Sequence, residues 1–268
     1  MPDVDLNSNN ERNILLIGRT GNGKSTLGNV LVNKNGDFET VFKESSYGVS
    51  ETRDIDTGEF MIDSIKYKVI DTVGLGDTKL NRKEVMYKLG EAAHKTRDGL
   101  NQLLFVTSSR FTEEERFTYN LLREIIFDDD IVNHTTIVRT NFENFMDEDE
   151  IKEDQRRMIS ENAELARVIC SCNKIIHVNN PPMNIKDARR LKLNKEDRED
   201  SRSKLLLHLG ACKDTIYRPK NLDKMQREIV DLKAKVSKET RGFCQIVGEA
   251  MDVGIEKLRE EFENKCNL

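Results

Sequence analysis

The sequence predicts an α/β fold, with a mainly parallel central sheet flanked by helices and a helical extension at the C-terminal end. Three observations carry this reading. Short continuous apolar runs alternate with helix-period segments over the first 210 residues, which is how a sheet covered on both faces is written in sequence. The first of these runs ends in a glycine-rich turn that opens into a helix. From residue 211 onward the pattern becomes purely helical.

Residues 1–10, rich in Asp and Asn, read as a disordered lead-in. Residues 13–17 (NILLI) form a buried strand, and a helix follows from Lys24. Residues 67–70 form a second buried strand ending at Asp71, with a hairpin partner in 57–62. Further strands are expected at 103–106, 136–138 and 174–178, with helices over 82–94, 112–127, 149–168 and 201–209. Residues 186–204 carry eight basic and five acidic side chains and little that packs, so they read as a solvated loop or helix face. Beyond them Leu222, Met225, Ile229, Leu232 and Val236 form one apolar helical stripe, and Phe243, Val247, Met251, Ile255, Leu258 and Phe262 form another. The stripes suit either a cap on the main domain or an interface. The organisation expected is a lead-in over 1–10, a nucleotide-binding domain over 11–210 and a helical extension over 211–268.

Composition excludes several classes. No run approaches the ~18 apolar residues of a membrane span, and the polar N-terminal stretch lacks a signal-peptide core, so no integral membrane segment and a cytoplasmic location are expected. The five cysteines form no CxxC pair and read as reduced thiols, and the four histidines stand far apart. A net charge of −5 argues against nucleic acid as the partner.

Gly18, Arg19, Thr20, Gly21, Asn22, Gly23, Lys24 and Ser25 fit GxxxxGK[ST], between a predicted strand and a predicted helix. Glycines let the backbone curl so that successive N–H groups face phosphate oxygens. Lys24 neutralises the β and γ oxygens, the Ser25 hydroxyl ligates Mg²⁺, and Thr26 completes the nucleotide-binding stretch. The fold is thereby narrowed to a P-loop nucleoside triphosphatase. Asp71, Thr72, Val73 and Gly74 form DxxG at a strand end, where the aspartate holds a metal-bound water and the Gly74 N–H senses a γ-phosphate. Between the two motifs, Thr52 in SSYGVSETR offers a hydroxyl and a carbonyl to the Mg²⁺ shell, an ordinary loop threonine being the alternative.

These residues resemble the AIG-type GTPases, the GTPases of immunity-associated proteins, over roughly residues 11–210. GRTGNGKSTLGN resembles that family's P-loop, SETR its first switch, and DTVGLGDT its DTPGLFDT; DGLNQLLFVTSSRFTEEE resembles its strand followed by GRFTxEE. The resemblance implies a G domain that takes GTP or GDP with Mg²⁺ and forms nucleotide-dependent dimers or longer assemblies. Leu75 stands where small GTPases carry a water-orienting Gln, so slow hydrolysis by a monomer is expected. Arg110 is the candidate arginine finger across a dimer, with a salt bridge to Glu113 or Glu114 as its alternative. For the base, Arg139 is expected to stack along the purine and Asn141 to occupy the place of an acid, relaxing guanine selectivity. Asn179 and Asn180 match the family's Asn-Asn base loop. The rival readings are a GTP-dependent scaffold that barely hydrolyses and, favoured only by Asn141, a P-loop ATPase or kinase-like enzyme.

Overall fold

The computed structural model describes residues 11–33, 36–44, 55–72, 74, 90–96, 98–108, 111–123, 127, 129–161 and 163–218. The expected lead-in, Thr52, Leu75, Arg110, most of the helix at 82–94 and both apolar stripes of the tail lie outside these residues.

Six strands make one sheet: β1 (Glu11–Gly18), β2 (Asp56–Ile62), β3 (Ile65–Asp71), β4 (Gln102–Thr107), β5 (Thr135–Arg139) and β6 (Lys174–His177). Their order is β2-β3-β1-β4-β5-β6, and every neighbouring pair is parallel except β2 with β3. That exception is a hairpin closed by Asp63 and Ser64 at φ 45° and 68°. Two successive left-handed residues give a turn whose twist matches that of the strands it joins.

The continuous apolar runs are explained by burial on both sheet faces. Ile14 and Leu16 join one core cluster with Leu27, Leu31, Val69, Leu104 and Val106. Leu15 and Ile17, one residue out of phase, join the other with Ile70, Leu103, Phe105 and Ile137. Period-two alternation sends successive side chains to opposite faces, so a strand covered on both sides must be apolar at every position. Edge strand β2 alternates instead, with Gly58 and Phe60 buried between exposed Thr57, Glu59 and Met61.

Among the described residues the helices are α1 (Lys24–Val32), α2 (Glu113–Leu121), α3 (Glu148–Glu161), α4 (Ala163–Ser171) and α5 (Ala188–Ala211), and residues 90–95 are helical too. The segment expected as one helix over 149–168 is thus divided between α3 and α4. The larger correction is α5. The charged run at 186–204 falls almost wholly in this single helix, capped by Asp187 accepting from the N–H groups of Arg189 and Arg190. It is not merely a solvated face: Asn194, Arg198 and Ser201 are buried along it. No helix among the described residues is long and apolar enough to cross a membrane.

Candidate nucleotide site

The parallel strands deliver Gly18, Asp71, Thr107, Arg139 and His177 to one edge of the sheet, since each ends its strand. In open α/β sheets ligands bind in the crevice outside these carboxyl ends.

Gly23 sits at φ 79° and turns the chain into α1, whose N-terminus has no side-chain cap and no acidic residue in its first turn. A left-handed φ suits glycine, which has no Cβ to clash. An uncapped helix start leaves backbone N–H groups and the positive dipole end available to an anion. Lys24 is the second residue of this cradle. It is 5% exposed and donates through Nζ to the Arg19 carbonyl at 3.1 Å, spanning the loop. Burial lowers its ammonium pKa to about 8, with Asp71 and Glu115 pulling back upward.

Ser25 and Asp71, 46 positions apart, meet here: the Ser25 hydroxyl donates to Asp71 Oδ2 at 2.6 Å. Asp71 is fully buried, which raises its pKa, while Lys24 and the Ser25 hydroxyl oppose the shift. Its other oxygen, Oδ1, is buried without a hydrogen-bond partner. A hard divalent cation prefers such a pair of hydroxyl and carboxylate oxygens, completed by water and phosphate, so these residues fit Mg²⁺. Thr72 anchors the DxxG turn by donating to the Leu16 carbonyl at 2.7 Å. Gly74 then passes so close to the P-loop that a Cβ would fall 2.0 Å from Thr20 Oγ1 and 2.6 Å from the Thr20 nitrogen. Thr20 Oγ1 is itself buried and without a partner.

The Asn22 side chain faces inward. Its Nδ2 donates to the Val106 carbonyl at 3.0 Å and to Glu115 Oε1 at 2.6 Å, and its Oδ1 accepts from the Ser108 hydroxyl at 3.1 Å. Its carbonyl accepts from the Thr140 hydroxyl at 2.8 Å. Asn22 therefore contributes rigidity: its side chain and its carbonyl are engaged within the protein, and its N–H donates to the Arg19 carbonyl at 3.2 Å.

Glu115 gives the RFTEEE segment a physical role. One carboxylate oxygen takes the Asn22 amide while the other accepts from the Thr112 N–H at 2.8 Å, and Thr112 caps Glu115 in return. The capping box is legible as Thr-x-x-Glu, whereas the bond to the P-loop, 93 positions away, is not. Glutamine at 115 has a single acceptor oxygen for these two donors. Glu115→Gln is therefore expected to lose about 1–3 kcal/mol, read by urea denaturation, together with weaker phosphate binding.

At the base end, Arg139 is 9% exposed, and its guanidinium is held by Asp154 of α3 at 3.0 and 2.8 Å. Being the last residue of β5, it follows the strand alternation to the face of Ile137, on which Met158 of α3 and Val168 of α4 pack. Asp154 also contacts His177 Nε2 at 2.8 Å. Burial pushes the Asp154 carboxyl up, but the His177 and Arg139 hydrogen bonds outweigh it and hold the pKa at about 2.

The loop after Arg139 lies alongside the loop after His177, since Phe142 donates its N–H to the Val178 carbonyl at 3.2 Å. Asn141 is exposed at φ 54°, and Glu143 is exposed. Asn179 Nδ2 donates to Asp197 Oδ2 at 2.9 Å. Asn180 is 8% exposed, with Nδ2 and Oδ1 both lacking a partner. The residues around the site to which the sequence assigns no role of their own are Thr72, Glu115, Thr140, Glu143, Asp154, Asp197 and Arg198. For Thr140 and Glu143 the signal available was Thr-x-x-Glu following a buried strand.

A family model described as the AIG1 family matches residues 12–211. Immune-associated nucleotide-binding protein 7 of Arabidopsis thaliana is 32% identical over 136 residues, covering 50% of this chain and 42% of that protein. Immune-associated nucleotide-binding protein 1 of the same plant is 32% identical over 135 residues, 48% of this chain and 56% of that protein. This chain thus spans about half the length of the curated relatives it matches. Among solved structures, Toc33 from Arabidopsis thaliana in complex with GDP and Mg²⁺ superposes with a TM-score of 0.49 at 15% identity, covering 72% of this chain and 86% of that one.

Proposed function

The chain belongs to the AIG1 family, matched over residues 12–211, and from that premise we propose that it binds GTP with Mg²⁺ and hydrolyses it to GDP and phosphate. The observation that carries the reading is the meeting of Lys24, Ser25 and Asp71 at an uncapped helix start. Four buried polar atoms, Asp71 Oδ1, Thr20 Oγ1 and both amide atoms of Asn180, lack protein partners at the three places where metal, phosphate and base would lie.

In this reading Lys24 and the N–H groups of Gly21 and of Gly23 to Thr26 hold the phosphates, with Gly18 and Arg19 shaping the loop's entry and the Asn22 N–H closing the turn on the Arg19 carbonyl. Ser25 and Asp71 hold the metal, which when bound neutralises phosphate charge. Gly74 reports the γ-phosphate to the segment that follows it. Thr52 as a metal ligand and Arg110 as a finger across a dimer belong to the same proposal and lie outside the described residues. The base contacts are assigned to Asn141, Glu143, Asn179 and Asn180. Glu143 replaces Asn141 as the acceptor for guanine donors, because a carboxylate can accept from both N1–H and the 2-amino group. Guanine preference is therefore expected to be firmer than Asn141 alone implies.

The second reading, a GTP-dependent scaffold with little turnover, is favoured by Leu75 in place of a water-orienting Gln. Competition of GTP with ATP, followed by single-turnover hydrolysis at low and high protein concentration, tests both. Tight GTP binding with a rate per molecule that climbs with concentration is expected. A flat, negligible rate selects the scaffold, and equal ATP binding overturns the guanine reading.

A further inference from the structure

Helix α5 carries Asn194, Asp197, Arg198 and Ser201 at the i, i+3, i+4 and i+7 spacing of a single helical face. All four bond to the short loop 179–182. Asn194 Nδ2 donates to the Pro182 carbonyl and Arg198 Nε to the Pro181 carbonyl, both at 2.7 Å. The Ser201 hydroxyl accepts from the Asn179 N–H at 3.0 Å and donates to the Asn179 carbonyl at 2.8 Å. Prolines have no N–H, so at 181 and 182 the carbonyls are the only backbone groups to satisfy, and the helix takes both.

The fourth contact has a polarity that the others lack. The Asp197 carboxylate only accepts, so the Asn179 amide must turn its nitrogen toward it, at 2.9 Å. That leaves Oδ1, an acceptor, as the other end of the amide, beside an Asn180 amide that is buried and unpaired. An acceptor at this place suits a base edge that carries hydrogen-bond donors, as guanine's does, and opposes an edge carrying a carbonyl.

We propose that Asp197 is a specificity-determining positioning residue: by fixing the direction of the Asn179 amide it selects a donor-bearing purine edge. This rests on the nucleotide reading above and adds to it a residue on a helix that does not belong to the base loops. A purely structural role for Asp197 predicts a uniform loss for every ligand, while a polarity role predicts a change in the ratio between ligands.

The test is equilibrium binding of GDP, IDP and XDP to the full chain, in Mg²⁺ at fixed salt, for the unsubstituted protein, Asp197→Asn, Asp197→Glu and Asn179→Ala. The unsubstituted protein is expected to favour GDP over XDP. Asp197→Asn lets the Asn179 amide face either way and lowers that ratio by up to about tenfold, the scale of one neutral hydrogen bond. Asp197→Glu remains acceptor-only and largely keeps the ratio; Asn179→Ala lowers it, leaving the part that Glu143 supplies, even if Asp197→Asn does not fold. A GDP/XDP ratio unchanged in Asp197→Asn or Asn179→Ala, or an equal weakening of all three ligands, overturns the proposal. Failure of the unsubstituted protein to bind any of the three overturns the nucleotide reading itself, a different outcome from an unchanged ratio.

Discussion

Replacing Lys24 by methionine is expected to weaken GTP binding roughly 10–100-fold, the value of a hydrogen-bonded charge in a dehydrated site, measured by calorimetric titration. The ammonium lies in a pocket that disfavours it: burial holds its pKa at about 8 against an ordinary 10.5. Phosphate oxygens reverse that bias, because they stabilise the charged form. Binding above pH 8 must therefore be accompanied by proton uptake, and affinity is expected to be flat below about pH 7 and to fall by up to tenfold per pH unit above pH 8. Lys24→Met should abolish this slope.

The stability of the unliganded protein has the opposite dependence. A lysine whose pKa is depressed on folding binds fewer protons in the folded than in the unfolded state. Between about pH 8 and 10.5 this group makes stability increase with pH, and below pH 8 its destabilisation is fully present. Denaturation of the native chain and of Lys24→Met, compared at pH 7 and pH 10, isolates the effect from other titrating groups. The site thus holds a cation at a cost that an anion relieves, which links ligand binding directly to folding stability.

This coupling is legible in the sequence because the P-loop is contiguous: Gly18 to Ser25 supply turn, cation and hydroxyl in order. The sheet is legible for a related reason, since a strand such as NILLI, covered on both faces, can use nothing but apolar residues. Contacts between distant segments are not written this way. Glu115 looks like half of a capping box, and nothing local says that its second oxygen holds Asn22. Arg139 follows a buried strand at the expected place, and only the strand's actual length shows that alternation sends it to Asp154. In the first half of α5 the apolar stripe that normally betrays a buried helix face is absent, because the buried positions Asn194, Arg198 and Ser201 are polar, and apolar burial begins only at Leu205 and Leu209. Charge counting registers such side chains as solvated and cannot register their partners.

Arg198 gives that point its largest expected effect. It is 1% exposed, donates to the Pro181 carbonyl at 2.7 Å, lies 3.3 Å from Glu44 Oε2, and its guanidinium stands 5.8 Å from the Phe38 ring centre. Arg198→Ala removes a side chain from a packed site and leaves the Pro181 carbonyl without its donor. It also leaves the Glu44 carboxylate with the Asn29 amide, at 2.8 Å, as its remaining partner among those contacts. Breaking a buried ion pair from one side typically costs 3–5 kcal/mol. Glu44 retains 27% side-chain exposure and some hydration, so about 3 kcal/mol is expected, read as a lower urea midpoint with an unchanged slope. Arg198→Met restores volume without the donor and should recover part of that loss. Arg198→Met with Glu44→Leu removes the stranded charge as well and should recover more, because the ion pair's main energetic weight lies in not being broken from one side. Neither Met variant restores the bond to Pro181, the residue after Asn180, so both are expected to bind guanine nucleotide more weakly than their stability suggests. That separation of affinity from stability distinguishes an arginine that positions the base loop from one that merely fills the interior.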